Sequence, residues 1–404
     1  MHKRSLHSVV TTICLLALSL AAAEGGRAVA EAAFDEFVSR NFAALAKRFS
    51  PEMAAALPAE KAAAQLGPVV DSLGRQVGPR PEPRLSLAGG MEVYIFPCEF
   101  EKARVNLLIA VNAAGQVAGL RLLPPDPAAV EPGELAVVTG DVRLPATLTL
   151  PEGKGPFPVV VFIHGSGPHD RDETVGANAP FRDLAEGLAA RGIASLRYEK
   201  RTRQYPGRAV ATVKDEVMDD VLSAVALVGN RSEIDPKRIY LLGHSLGGYL
   251  IPRLAPLVPA AAGFIMLAAN VRPIEELAAD QIKYLGAPPE TLSQLKQSAP
   301  ASYWEDLTNY DPVAEARKIS APLLVLQGER DYQVTMKDFE IWRTALAGRP
   351  NVVMRSFPKL NHLFLEGEGK SLPAEYGRPG RIPDYVLDEI AAFVNGRRTP
   401  QSAP

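Results

Sequence analysis

Six short apolar runs limit what this chain can fold into: Val159-Val-Val-Phe-Ile163, Ile193-Ala-Ser-Leu-Arg197, Ile239-Tyr-Leu-Leu242, Gly263-Phe-Ile-Met-Leu267, Leu323-Leu-Val-Leu326 and Val352-Val-Met-Arg-Ser356. They are rich in β-branched residues, and stretches of helical periodicity separate them. Continuous apolar strands joined by helices imply a mostly parallel sheet covered on both faces. The chain has 404 residues, which is long for one ordinary domain, so a second folded unit is expected. Hydrophobic residues at 47% supply a large core, and a net charge of −2 makes no electrostatic case for nucleic acid or an anionic membrane as partner.

The region before these runs has a different texture. Phe34, Phe37, Val38, Phe42, Leu45 and Phe49 recur at helical spacing, and a second, Ala-rich helix is expected from Pro58 to Gly74. Extended segments follow at Met91–Glu99, Arg104–Val111 and Gln116–Leu123, the last two joined by the hairpin signal Asn112-Ala-Ala-Gly115. Residues 31–124 therefore read as a small α+β domain. Residues 125–133, with three prolines and a glycine, read as a linker, 134–396 as the α/β unit, and 397–404 as a tail. Cys98 lies in a strand-like run with no histidine near it and reads as a core residue.

At the start, Lys3 and Arg4 precede an apolar stretch from Val9 to Ala23, with small-residue exits at Ala21-Ala-Ala23 and Ala28-Val-Ala30. This is the layout of a signal peptide, residues 1–30, cleaved after 23 or 30, and it implies export to the periplasm or medium without stable membrane insertion. Cys14 sits inside the apolar run, so a lipid-anchoring cysteine is not indicated.

The chemistry concentrates in Leu241-Leu-Gly-His-Ser-Leu-Gly-Gly248, directly after a strand-like run and before a helix-compatible stretch. A serine on a tight strand-to-helix turn lifts its hydroxyl out of the sheet, and the turn needs residues without bulk at Gly243 and Gly247, with His244 between glycine and serine. A serine hydroxyl is a poor nucleophile without a base. Beyond the leader the histidines are His164, His169, His244 and His362. Only His362, in Leu360-Asn-His-Leu-Phe, follows the serine late in the chain, as the order Ser, acid, His requires. The acid belongs in a loop after a strand between them, and Leu323-Leu-Val-Leu-Gln-Gly-Glu-Arg-Asp331 offers Asp331, with Glu329 competing and Asp311 and Asp338 weaker. The oxyanion needs two N–H donors: the Leu246 amide, and one from Phe162-Ile-His-Gly-Ser-Gly-Pro168, Ser166 first and Gly165 next.

His164-Gly-Ser-Gly-Pro, Gly243-His-Ser-Leu-Gly, Gly328-Glu-Arg-Asp and Asn361-His, in that order, resemble the α/β-hydrolase superfamily, and bacterial carboxylesterases with an N-terminal extension in particular. Asp170-Arg-Asp172, Arg197-Tyr-Glu-Lys-Arg201 and Pro373-Ala-Glu-Tyr-Gly377 are further points of similarity. The N-terminal unit is similar to a helix-then-sheet domain of unknown function that precedes the hydrolase in some bacterial esterases. The resemblance implies a serine carboxylic ester hydrolase acting on a small-molecule ester, with a cap at about 270–318. It leaves peptidase, thioesterase and lysophospholipase chemistry on the same triad as alternatives, together with a catalytically silent exported binding protein. No Gly-x-Gly-x-x-Gly after a strand, P-loop, His-Glu-x-x-His or cysteine pair is present, so neither a cofactor nor a metal is expected. The basic stretch Arg197–Arg203 is expected to be a solvated or ion-paired loop rather than an anion site.

Overall fold

The computed structural model describes residues 25–396, apart from 89, 124–133, 207, 209, 289, 290 and 298. The leader up to 24, the expected linker at 125–133 and the tail at 397–404 lie outside the described residues. The chain divides into two compact units, the first ending before the α/β region and including Tyr205, Pro206 and Arg208.

In the first unit, helices α1 (25–38), α2 (Phe42–Ala46), α3 (Pro51–Ala56) and α4 (Ala59–Leu73) precede an antiparallel sheet of β1 (Arg84–Ala88), β2 (Met91–Glu99), β3 (Arg104–Val111) and β4 (Val117–Leu123), in that order. The phenylalanine periodicity does not build one helix. The chain turns at Arg40, whose φ is 63°, and restarts under an Asn41 cap whose side chain accepts from Ala44 N. Phe34, Phe37, Phe42, Leu45 and Phe49 nevertheless share one core, with Phe34 stacked on Phe96 at 4.7 Å. β1 joins the three segments read from sequence. Cys98 is buried on β2, and burial pushes its thiol up to about 11.

The second unit carries an eight-stranded sheet in the order β12-β11-β10-β9-β7-β8-β6-β5. Its strands are β5 (Ala136–Thr139), β6 (Val142–Thr149), β7 (Phe157–Ile163), β8 (Ala194–Tyr198), β9 (Ile234–His244), β10 (Gly263–Leu267), β11 (Leu323–Gly328) and β12 (Val352–Phe357). The ladder is parallel from β12 to β8, while β6 and β5 add antiparallel at one edge. The α/β-hydrolase fold with a small α+β unit before it is thus the observed class. Strand side chains alternate: Val160, Phe162, Leu242, Ile265 and Leu324 pack with helices α5 (Pro180–Ala189) and α14 (Asp384–Val394), while their buried neighbours Val159, Val161, Leu241, Phe264 and Leu323 face the other way. Each such fully buried side chain contributes about 1.5–3 kcal/mol.

The remaining helices are α6 (Arg201–Gln204), α7 (Asp219–Gly229), α8 (Leu246–Leu254) and α13 (Met336–Ala345), with α9 (Ile274–Leu285), α10 (Thr291–Gln297), α11 (Ala301–Thr308) and α12 (Pro312–Ala316) inserted between β10 and β11. The inserted helices tie back to the unit through Arg253–Asp306 at 2.7 Å and Tyr284 Oη donating to Ser371 O at 2.8 Å. β5 and β6 are absent from the sequence reading. β5 is the edge strand and β6 lies beside it, and Pro145 interrupts the apolar run, but Gly140-Asp141 between them is a two-residue hairpin signal.

Candidate active site

The loops after β7, β9, β11 and β12 all leave the carboxyl edge of the parallel strands, where open α/β sheets place their sites. Ser245 follows β9 with φ 52° and ψ −118°, a conformation an L-residue holds only when its surroundings enforce it. They do so here by close approach. A Cβ on Gly243 would lie 2.2 Å from Gly247 O, and one on Gly247 would lie 2.2 Å from Ile163 O. The turn is clamped between β9 and β7, and Ser245 N donates to Leu267 O on β10 at 2.9 Å. The serine is half-exposed while the residues on either side of it are buried.

His362 stands in the loop after β12, where Asn361 Oδ1 accepts from Leu363 N and Leu365 N and shapes the turn. Its Nδ1 lies 2.6 Å from Asp331 Oδ2. The Asp331 side chain is 0% exposed, yet every lone pair is used: Oδ1 accepts from Gln333 N at 2.7 Å and Val334 N at 3.0 Å, and Oδ2 also accepts from Gln327 Nε2 at 3.2 Å. These donors satisfy a carboxylate whose burial would otherwise be costly. The competing acids are engaged elsewhere. Glu329 is exposed and accepts from Ser356 Oγ, Asp311 caps α12, and Asp338 holds Arg272.

Leu246 N and Ser166 N donate to no acceptor among the described residues. Gly165 is different, and the expectation that its amide could serve as a donor needs correction: that N–H donates to Glu173 Oε1 at 2.6 Å, so it is occupied. Glu173 is 1% exposed with φ 52°, and its other oxygen lies 2.9 Å from His244 Nδ1, close enough for an ion pair although outside aligned hydrogen-bond geometry. His244 Nε2 lies 2.9 Å from His362 O. Burial pushes His244 down and Glu173 up, but each is outweighed by the partner. His244 is raised, and Glu173 is held down at about 2 by His244, His169 and His164. His244 therefore braces the His362 loop through the His362 backbone carbonyl, and both its ring nitrogens are turned to these partners. His164, fully buried, is pushed down to about 3 by desolvation and is neutral.

Sequence reasoning missed Glu173 and Lys200. Glu173 directly follows the Asp170-Arg-Asp172 stretch, and Lys200 lies within Arg197–Arg203, so the signal for one adjoins a motif and for the other sits inside one. Their partner, Gly165, is 8 and 35 residues away in sequence. No group of three or more His, Cys, Asp or Glu that could hold a metal occurs among the described residues, and no helix among them is long and apolar enough to cross a membrane.

The prolyl oligopeptidase family profile matches residues 199–376, a span containing Ser245, Asp331 and His362. Esterase EstD of Thermotoga maritima is 41% identical over 334 residues, 75% of this chain and 79% of that protein. The acylamino-acid-releasing enzyme of Rattus norvegicus is 26% identical over 63% of this chain, which spans 35% of that protein. Among solved structures, an esterase of Pyrococcus furiosus aligns with a TM-score of 0.47 and 18% identity over 66% of this chain and 91% of its own. With its identity to esterase EstD and its own sheet topology, the chain belongs to the EstD family of serine hydrolases within the α/β-hydrolase superfamily.

Proposed function

We propose that this protein hydrolyses carboxylic esters through an acyl-enzyme on Ser245. The observation that carries the reading is the His362 Nδ1–Asp331 Oδ2 contact at 2.6 Å at the strand edge that also presents Ser245 on its strained turn. With Nδ1 turned to the carboxylate, Nε2 is the nitrogen left to take the Ser245 proton. Oγ attacks the ester carbonyl carbon, and the carbonyl π electrons move onto oxygen between the Leu246 and Ser166 amides. The helix dipole of α8 reinforces the first of these donors. Collapse expels the alkoxide, which leaves with the proton from His362. Water, deprotonated by the same imidazole, then attacks the acyl-enzyme and returns Ser245 to its starting state. Asp331 holds the tautomer and stabilises the imidazolium.

A second reading, amide or thioester cleavage on the same residues, is favoured by the prolyl oligopeptidase profile match and by the relative named as an acylamino-acid-releasing enzyme. Against an aminopeptidase stands Glu173: the acid beside the oxyanion loop is buried and already bonded, leaving it no freedom to bind a substrate ammonium. Rates on matched short-chain ester, thioester and aminoacyl-anilide substrates separate these chemistries, and the ester should be preferred. Ser245→Ala should lower turnover by about 10⁶-fold, the scale set by nucleophile removal in a serine protease. Wild-type turnover in that variant would remove Ser245 from the mechanism.

The charged and apolar leader supports export. Cleavage after Ala23 leaves α1 whole, whereas cleavage after Ala30 removes its first turn and a half, so the first is the site we propose. N-terminal sequencing of the exported protein should begin at Glu24.

A further inference from the structure

We propose that Lys200 is a positioning residue for the oxyanion hole, aiming and polarising the Ser166 amide through the Gly165 carbonyl. This rests on the acyl-enzyme reading given above. Lys200 is 2% exposed, and its Nζ donates to Gly165 O at 2.7 Å. The peptide joining Gly165 to Ser166 is trans, so its carbonyl and its N–H point in opposite directions across one rigid plane. Fixing the carbonyl on the buried ammonium therefore turns the Ser166 N–H away from it, toward the open side on which Ser166 is exposed. The preceding amide is held as well, because Gly165 N donates to Glu173 Oε1 at 2.6 Å. A cation on the carbonyl and an anion on the N–H leave the two peptide planes flanking Gly165 almost no freedom. Gly165 also lies against the nucleophile, since a Cβ placed on it would sit 3.2 Å from Ser245 Cβ.

The arrangement is energetically unusual for a loop carbonyl. Burying an ammonium costs several kcal/mol unless its protons are all matched. Here Glu216 Oε1 neutralises it at 2.8 Å, and Glu216 Oε2 in turn accepts from Tyr303 Oη on α11 at 2.5 Å. The Lys200 backbone joins the same loop, its N–H donating to His169 O at 3.0 Å. A charged donor on a carbonyl draws electron density from the whole peptide group, so the attached N–H becomes a stronger donor. Lys200 thus acts on the transition state without touching substrate. Arg201, beside it, has no such role. It pairs with Asp220 at 2.6 Å, and that pair closes on itself.

The test uses the full-length enzyme, Lys200→Met, a short-chain aryl ester, and an alkyl trifluoromethyl ketone whose adduct with a serine carries a negative oxygen. Losing an oxyanion donor costs about 10²–10³ in kcat, and a donor that is present but misaimed should cost about 10–100-fold, with KM changed by less than about threefold. The ketone should weaken by the same factor as kcat falls. Arg201→Met, which breaks a neighbouring buried pair, should lower Tm comparably yet keep kcat and ketone affinity within about threefold of wild type. If Lys200→Met does not fold, the double variant Lys200→Met/Glu216→Leu, which leaves no unpaired charge, is read the same way. Wild-type kcat and ketone affinity in the Lys200 variant would overturn the proposal, as would losses that merely follow Tm in both Lys200 and Arg201 variants. Failure of the ketone to inhibit wild-type enzyme would instead overturn the acyl-enzyme reading beneath it.

Discussion

The two flanks of Ser245 use buried charge in opposite ways. On the flank formed by the loops after β11 and β12, the charged side chain meets the reactive one: Asp331 touches His362 directly, and its remaining capacity is absorbed by Gln327 and two backbone amides. On the flank formed by the loop after β7, the charges never reach the reacting atoms. Glu173 and Lys200 are bonded to the two polar groups of Gly165, and the donor proposed for the oxyanion is the main-chain N–H of Ser166, one residue on. Where a side chain does the chemistry, a charge tunes it. Where the backbone does the chemistry, charges must aim it, because the backbone has no rotamer to choose.

The comparison predicts unequal sensitivities. The largest effect belongs to the acid–base flank. Asp331→Asn should keep the geometry but lose control of the tautomer, lowering kcat by about 10⁴, the scale measured for the same change in a serine protease. Glu329→Gln, two residues back and exposed, should change kcat by less than about threefold, since an exposed pair contributes little. Steady-state kinetics on the aryl ester decide the matter. A crippled Glu329 variant beside a healthy Asp331 variant would dissolve the acid–base half of the comparison.

The smallest effect concerns stability on the other flank. His164, pushed down to about 3 because burial penalises its charged form, titrates near 6.5 once unfolded. Between those values the unfolded chain binds a proton that the native chain refuses, so stability falls as pH drops from 6.5 toward 3. Glu173, held at about 2, adds the same sign below its unfolded value near 4.5. His244, raised by Glu173, has the opposite sign, contributing fully below 6.5 and losing that contribution as pH rises through its folded value. Urea unfolding from pH 7 to pH 4 should therefore show a steeper loss in the wild type than in His164→Gln. Equal slopes would mean that His164 is hydrated in solution and that the oxyanion flank is not closed from behind.

Much of this molecule is determined by sequence alone, and the reason is locality. Val159–Ile163, Leu323–Leu326 and their counterparts are strands because a doubly covered sheet demands unbroken apolar runs. Ser245 is marked because its turn forbids a Cβ at Gly243 and Gly247, a constraint written within five residues. The hairpin at Asn112–Gly115 is equally local, its asparagine accepting from Ala114 N and Gln116 N. Tertiary structure decided the rest. It broke the phenylalanine-rich helix at Arg40, where a turn outweighed an unbroken helical spacing. It separated Asp331 from Glu329, since successive odd positions of one loop look alike until burial and a partner 31 residues away distinguish them. It removed Gly165, the second choice of oxyanion donor, and left the first choice, Ser166, because what engages an amide is invisible unless Glu173 and Lys200 are brought to it. Those pairings follow from sheet order, which sets β9 between β7 and β10, and sheet order is a property of the assembled strands rather than of any one segment.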